Sequence, residues 1–207
     1  LMSIIVLGMA GIAGAAGPIT LTSDGDLYSV STRDNQVVVT ARYADGTISE
    51  LPIPQSAAAV EDTLQVGVDE ATGALYVLWQ KKTDMEARLR MAGYVDGTWS
   101  GPYTFAGNDG TAAFNPEFMS HRATTEIVDG VDDDGEPIER EISTTVIHLV
   151  WWSQVSEDDA GAAQYAALPI TDEGIPQFGK MEQIALTDFL PYGIVCFEIT
   201  GGDNLKH

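Results

Sequence analysis

The sequence predicts an all-β fold for this chain of 207 residues. After Pro18, short alternating or continuous runs of apolar, often β-branched residues are bounded by glycine, aspartate and proline, and helical spacing is scarce. Three of these runs, at residues 26–32, 74–80 and 145–152, can be laid over one another, because each follows a polar turn and holds a central apolar stripe. We expect them to form equivalent buried strands.

Each of the three runs belongs to a predicted unit of four antiparallel strands. One strand precedes the run and two follow it, the first after a polar loop and the second after a tight turn. Aspartate and glycine readily adopt the left-handed backbone geometry that hairpin turns need, so the turn residues are expected to be structural. The tight turns lie at Asp45-Gly46, at Asp96-Gly97 and from Asp172 to Gly174.

The units recur about every fifty residues, which is near the period expected of a propeller blade. Radial stacking of such sheets would bury both faces of each sheet and keep the free edges short, as in a β-propeller. The predicted blades lie near residues 18–57, 60–107 and 112–187. A β-sandwich of two packed sheets is the alternative architecture.

Three blades do not close a ring, because propellers have four or more. The final stretch, "PYGIVCFEITGGDNLKH", has the pattern of the first strand and turn of another unit. We therefore expect residues 16–207 to form a partial propeller that is a fragment of a longer protein.

The third unit is longer than the others because it contains an insertion. Two alternating segments flank an Asp-rich turn and predict a protruding hairpin over residues 122–143. The turn, residues 132–136, holds three consecutive aspartates, whereas an EF-type calcium loop needs acidic residues at alternating positions. We therefore interpret this turn as a charged hairpin tip.

The chain opens with an uncharged apolar run that ends in the triplet Ala-Gly-Ala, a pattern typical of signal-peptide cleavage sites. We expect residues 1–15 to be a signal peptide and the mature chain to begin near Ala16. An uncleaved membrane anchor is the alternative, because the run is nearly long enough to span a bilayer. Either interpretation predicts a protein that is secreted, periplasmic or displayed on the cell surface.

The composition is strongly acidic, with 31 Asp and Glu residues against 10 Lys and Arg and a net charge of −21. Such a surface repels phosphate backbones and anionic lipids, so nucleic acid is not an expected partner, and a membrane is expected only if the N-terminal segment is uncleaved. Cys196 is the single cysteine, which excludes an intrachain disulfide. Its apolar surroundings indicate a small buried hydrophobe and not a nucleophile.

At "DGTWSGP", which begins at Asp96, and at "NPEF", which begins at Asn115, the chain resembles the sialidase-like, BNR-type (Asp-box) propeller superfamily. Blades of that group often carry a D-x-G-x-T-W-like turn between their third and fourth strands. The turn here is shorter than a full Asp-box, and only the middle unit keeps the tryptophan, Trp99. The resemblance covers roughly residues 60–190 and implies a propeller fold.

Sialidases also clamp a substrate carboxylate with three arginines and use a Tyr-Glu nucleophile pair with an acidic general acid. None of these groups can be placed residue by residue in this chain. Among the arginines, only Arg33 lies in a loop of the appropriate kind. The others lie in or beside predicted third strands or in the insertion: Arg42, Arg88, Arg90, Arg122 and Arg140. The resemblance therefore supports the fold and leaves an enzymatic activity unassigned.

The resemblance further implies that ligands meet the face formed by the loops between strands two and three and by the loops between blades. In this chain those loops are rich in carboxylates, which could act as acid and base on a glycoside or bind a hard cation such as Ca²⁺. So acidic a chain also brings carboxylates together by chance, and no obligatory cofactor is expected. The candidate rim residues are Asp84, Glu86, Asp109, Glu157, Asp158, Asp159 and Asp188.

Two histidines and three tryptophans are the remaining candidates for chemistry. His121 and His148 end and begin paired strands and could face each other, but no third zinc ligand stands at a suggestive spacing. Trp79, Trp151 and Trp152 lie on predicted second strands, where large rings fill the space between sheets. At least two of them are expected in the core, and an exposed ring could stack on a sugar.

Two functions of different classes are compatible with these features. The first, which we favour, is a non-catalytic extracytoplasmic propeller segment that binds a glycan or an extracellular protein, or acts as a scaffold, through the rim loops and the hairpin. The second is part of a sialidase-like exo-glycosidase whose active site is completed by blades outside this chain.

Overall fold

The computed structural model describes residues 14–15, 18–83, 86–107, 110–131, 137–155, 161–171 and 174–186. The regular structure of these residues consists of β-strands and two short 3₁₀ helices, Glu61–Thr63 and Phe178–Lys180, so the predicted all-β class is confirmed. The strands are β1 (Gly14–Ala15), β2 (Ile19–Leu21), β3 (Leu27–Arg33), β4 (Gln36–Arg42), β5 (Ile48–Pro52), β6 (Gln65–Asp69), β7 (Ala74–Thr83), β8 (Glu86–Val95), β9 (Thr98–Ala106), β10 (Ala112–Val131), β11 (Pro137–Gln154), β12 (Ala162–Pro169) and β13 (Glu182–Leu186).

The strands form three antiparallel sheets that follow one another along the chain. The first sheet has the order β2-β3-β4-β5, the middle sheet β6-β7-β8-β9, and the third sheet β1-β10-β11-β12-β13. Apart from β1, neighbours in each sheet are consecutive in sequence, so each sheet is built from one four-stranded meander. The three runs that can be superposed in the sequence are β3, β7 and β11, and each is the second strand of its meander.

The middle sheet is covered on both faces. One face of β7 carries Leu75, Val77 and Trp79 into a core shared with the first sheet. The other face carries Tyr76 and Leu78 into a core shared with the third sheet. Because all five side chains are buried, β7 has a continuous apolar sequence without the polar alternation of a half-exposed strand.

The first sheet shows that alternation clearly. Tyr28 and Val30 of β3 are buried against the middle sheet, whereas Ser29 and Ser31 are partly exposed on the opposite face. Ile48 of β5 lies on the same outer face, because its partner in β4 is Arg42, and it is 63% exposed. The outer face of the first sheet is therefore mostly polar, with isolated apolar side chains.

Two of the predicted turns share a glycine of positive φ and the same backbone hydrogen bond. Gly46 and Gly174 both have positive φ, which glycine adopts without strain, and each donates its N–H to the carbonyl three residues earlier, on Tyr43 and Thr171, at 2.9 Å. The Asp45 carboxylate accepts a hydrogen bond from the Thr47 N–H at 2.8 Å, which lowers the pKa of Asp45. This bond is typical of an aspartate in a turn.

The turn of the middle sheet differs from the other two. Asp96 and Gly97 both have positive φ, at 49° and 81°, and form a two-residue connection between the paired residues Val95 and Thr98. Trp99 follows at the start of the edge strand β9, with its ring 4.9 Å from that of Tyr94. The turns at Asp45-Gly46 and Asp96-Gly97 are thus equivalent in position but not in conformation. Asp172, named with them, lies outside the described residues.

The longest strands are β10 and β11, with 20 and 18 residues. They pair from Ala112 opposite Gln154 to Val131 opposite Pro137. The two segments of the predicted hairpin over residues 122–143 are therefore paired with each other up to the tip. The third strand of the meander, β12, pairs with β11 only from Val146 onward. The tip, residues 132–136, with its acidic run, lies outside the described residues.

The predicted leader meets the described structure only at its end. Gly14 and Ala15 form β1, which pairs with Ser120 and Met119 at the inner edge of the third sheet. Residues 1–13 lie outside the described residues. Within the part of the chain that the structure describes, no helix has the length and apolar character needed to cross a membrane.

Candidate functional site

The loops predicted to form a ligand rim leave the sheets at one end of the stack. β7 and β8 are joined beyond Thr83, β9 leads to β10 beyond Ala106, and β11 leads to β12 beyond Val155. Near this end, the side-chain amide of Gln65 donates to the Pro116 carbonyl at 2.6 Å and aligns the middle and third sheets. We call this the loop end, and the end that carries the Gly46, Gly97 and Gly174 turns the turn end.

Only one rim candidate lies within the described residues. Glu86 begins β8 and pairs with Thr83, so its backbone closes the β7–β8 hairpin. The other candidates lie outside the described residues: Asp84, Asp109, Glu157, Asp158, Asp159 and Asp188. The acidic rim and its possible Ca²⁺ site therefore stay predictions.

Beneath the rim, β7 and β8 carry cationic side chains on the face toward the first sheet. Lys81 is paired with Arg88, and Trp79 with Arg90, so the four residues form two adjacent cross-strand pairs on one face. Sequence reasoning placed both arginines in the third strand of the unit, and the structure agrees. It did not identify this cluster, whose only sequence signal is the alternation Arg-Leu-Arg opposite Trp-Gln-Lys.

Arg90 is bound to the protein backbone on both sides of its strand. Its Nη1 donates to the Gln55 carbonyl at 2.9 Å and its Nη2 to the Pro102 carbonyl at 3.1 Å, while the guanidinium lies 6.0 Å from the centre of the Trp79 ring. Burial, followed by the nearby charge of Arg88, lowers the pKa of Arg90. These bonds tie the β5–β6 connection to the middle sheet, which is a structural role and not that of a substrate clamp.

The two arginines of the first sheet, Arg33 and Arg42, are not arranged as a substrate clamp either. Arg33, the one arginine in a suitable loop by sequence, forms an ion pair with Glu50 at 2.5 Å, and both side chains are more than half exposed. Arg42 lies exposed on the outer face of the first sheet. Arg33 and Arg42 lie at opposite ends of the first sheet, and Arg90 lies in the interface with the middle sheet, so these three arginines do not converge on one point as a carboxylate clamp requires.

A buried polar network lies at the turn end, between the middle and third sheets. Asp69 is 6% exposed, and its carboxylate accepts hydrogen bonds from the Thr145 hydroxyl at 2.8 Å and the Ala71 N–H at 3.1 Å. Arg122 approaches the same carboxylate at 3.9 Å. The network fastens the middle sheet to the base of the β10–β11 hairpin, because Thr145 and Arg122 are paired there.

The pKa of Tyr76, at the edge of this network, is raised by burial and then by the negative charge of Asp69. The Tyr76 hydroxyl donates to the Gly174 carbonyl at 3.0 Å, linking the middle sheet to the last turn of the third. The folded state therefore keeps the phenolic proton at a pH where the unfolded chain releases it. Stability should be unaffected below about pH 10 and decline as the pH rises above it.

Replacing Tyr76 with phenylalanine should reduce this alkaline sensitivity. At neutral pH the variant should lose about 1 kcal/mol of stability with the hydrogen bond, and above about pH 10 its stability should fall less steeply than that of the native chain. Urea denaturation across a pH series measures both effects. The partly exposed Tyr103 provides the matched control, as Tyr103→Phe. Parallel pH profiles for the native chain and Tyr76→Phe would contradict the assignment.

The tryptophans divide between core and surface as their strands dictate. Trp79 and Trp151 are 0% and 1% exposed, so at least two of the three rings serve the core, as expected. Trp152 points to the outer face of the third sheet and is half-buried. On the same face, the His148 Nδ1 and the Tyr165 hydroxyl are 2.7 Å apart and their rings are stacked.

The described residues do not support a zinc site at His121 and His148. His121 pairs with Val146, and His148 with Met119, so the two histidines are offset by two positions and are not directly opposite each other. Within the ranges that the structure describes, no group of three His, Cys, Asp or Glu side chains could hold a metal ion. Cys196 lies outside those ranges.

Comparison with known proteins adds no relative from which a function could be inferred. No protein-family model, no curated protein and no solved structure matches the chain.

Proposed function

We propose that this chain is a segment of a sialidase-like β-propeller that acts as a non-catalytic binding or scaffold module outside the cytoplasm. The observation that carries the proposal is the sequential stacking of three equivalent four-stranded meanders. A two-sheet sandwich has one core between its sheets, whereas here the middle sheet contributes to two cores, one on each face. Repeated sheets that each cover the next are the arrangement from which propellers are built.

The proposed ligand face is the loop end, where the loops of the middle and third sheets emerge together. Their carboxylates suit hydrogen bonds to the hydroxyls of a glycan, coordination of a bridging Ca²⁺, or contacts to a basic protein surface. A sialidase activity would need converging arginines, whereas Arg90 is tied to backbone carbonyls and Arg33 and Arg122 lie beside separate carboxylates. This distribution favours binding over catalysis.

A combined binding and hydrolysis assay tests the proposal. The chain should bind members of a glycan array or an extracellular protein in a manner weakened by Asp84→Asn and Asp109→Asn, and it should leave chromogenic sialosides and neutral glycosides intact. Asp24→Asn, at an exposed turn-end position, is the matched control and should bind normally. Turnover of any of these glycosides would overturn the non-catalytic assignment, and binding unaffected by the loop variants would exclude the loop end as the ligand face.

A further inference from the structure

The segment at the start of the described structure meets edge strands of all three sheets. Gly14 and Ala15 form β1, which pairs with β10 at the inner edge of the third sheet and also lies beside β6 of the middle sheet. A few residues further on, β2 begins at Ile19 and belongs to the first sheet. The N-terminal segment therefore connects the third sheet to the first.

The part of this segment that follows β1 is held by specific hydrogen bonds. The Thr20 hydroxyl donates to the Val66 carbonyl of β6 at 2.6 Å, and the Val30 N–H of β3 donates to the Pro18 carbonyl at 3.0 Å. The first and third sheets pack on opposite faces of the middle sheet. Because Pro18 and Thr20 are fixed to the first and middle sheets, β1 is the part of the segment that adds the third.

The strand β1 also covers part of the edge of β10. An edge strand presents backbone N–H and C=O groups that have no partner within its own sheet. β1 pairs with Met119 and Ser120 at this edge, and Ser120 is 8% exposed with β1 in place. A mature chain that begins at Ala16 would lose β1 and leave this edge open to water.

The cleavage site expected from the sequence overlaps β1. The triplet Ala13-Gly14-Ala15 has small residues at its first and third positions, but its second and third residues are the two residues of β1. A peptidase that binds an extended segment through its backbone would have to compete with β10 for Gly14 and Ala15 once the chain has folded. Cleavage after Ala15 would also remove the link to the third sheet.

Two triplets of the same pattern occur upstream of β1. The triplet Gly11-Ile12-Ala13 ends directly before β1, so a cut after Ala13 leaves both residues of β1 on the mature chain. The triplet Gly8-Met9-Ala10 has the same pattern, but a cut after it would leave Ile12, the last large apolar residue of the run, on the mature chain. Of these bonds, only Ala13–Gly14 removes the whole apolar run and keeps β1.

We propose that the leader is removed by hydrolysis of the Ala13–Gly14 peptide bond, so that the mature chain begins with β1. Water adds across this bond and leaves a carboxylate on Ala13 of the released leader and an α-amino group on Gly14. The catalyst is a signal peptidase that recognises the small residues Gly11 and Ala13. This inference rests on the location outside the cytoplasm in the proposed function, and it places the mature start at Gly14 instead of Ala16.

N-terminal sequencing of the exported protein tests the proposal. The full chain is produced with its leader in a bacterium, and the processed form should begin at Gly14. Ala13→Leu places a large side chain directly before the cut and should abolish processing. Ala15→Leu is the matched control, because it blocks a cut after Ala15 but lies outside the Gly11-Ile12-Ala13 triplet, and this variant should be processed like the native chain.

A second measurement tests the contribution of β1 without the peptidase. Chains that begin at Gly14 and at Ala16 are produced directly and unfolded by heat. The loss of one or two backbone hydrogen bonds should lower the unfolding midpoint of the chain that begins at Ala16 by about 2–8 °C. Equal midpoints would show that β1 adds nothing to the mature fold, which would overturn the proposal.

The sequencing result separates this inference from the location on which it rests. A processed form that begins at Gly11 or Ala16, or processing that Ala15→Leu blocks, would overturn the inference and leave the location outside the cytoplasm intact. A chain that is never processed would overturn the inference together with that location. Binding at the loop end is measured separately, and its failure would leave the cleavage site unaffected.

Discussion

Replacing Trp151 with alanine should lower the free energy of unfolding by about 3–5 kcal/mol. Trp151 is 1% exposed in the core between the middle and third sheets, and its ring meets the edge of Phe105 at 5.7 Å. Truncation removes the largest buried side chain of that sheet and leaves a cavity between two rigid sheets that cannot collapse into it. Urea denaturation followed by far-UV circular dichroism measures the loss.

The adjacent Trp152 provides a matched control in the same strand. It lies on the opposite face and is half-buried, so Trp152→Ala should cost less than half as much as Trp151→Ala. Equal losses for the two variants would contradict the assignment of their side chains to opposite faces.

Replacing Asp69 with alanine should destabilise the chain by about 2–4 kcal/mol. The change removes the acceptor for the Thr145 hydroxyl, which is almost fully buried, and for the Ala71 N–H. Most of the loss should come from the buried Thr145 hydroxyl, since Ala71 is exposed and Arg122 is 37% exposed, so both keep access to water. Thermal and urea unfolding measure it.

Asp69→Asn removes the charge but keeps the shape of the side chain and one carbonyl acceptor. Its loss of stability should therefore be smaller than that of Asp69→Ala. Asp45→Ala is the control for removing an acidic residue from a turn. The Asp45 carboxylate is exposed and bonds only locally to Thr47, so its removal should change the unfolding midpoint much less. Comparable losses for Asp69→Ala and Asp45→Ala would show that the buried network contributes little.

The strands could be predicted from the sequence because their signals are local. Alternation in β3 and the continuous apolar run in β7 mark strands with one and two buried faces, and both strands were expected within a few residues of where they lie. For the turns, the sequence predicts the position but not the conformation. An Asp-Gly pair is compatible with more than one turn conformation, and the register of the flanking strands decides which one forms.

The network at Asp69 could not be predicted, because its partners are remote in sequence. By itself, Asp69 is an acidic residue at the end of an apolar run, a pattern typical of an exposed turn. Thr145 is 76 positions away, and only the packing of the third sheet on the middle sheet brings it within hydrogen-bond distance. The acidic rim is the converse case, since its composition is evident in the sequence but its loops lie almost entirely outside the described residues.

The double coverage of the middle sheet has a consequence for how the chain unfolds. Detaching the first sheet would expose Val77 and Trp79 to water, and detaching the third would expose Tyr76 and Leu78. The loss of either outer sheet therefore destabilises the middle sheet. Through the middle sheet, the stabilities of the first and third sheets are coupled, although each repeat contacts only its neighbours. The three sheets should melt in a single cooperative transition, because unfolding of one outer sheet destabilises the middle sheet and, through it, the other outer sheet.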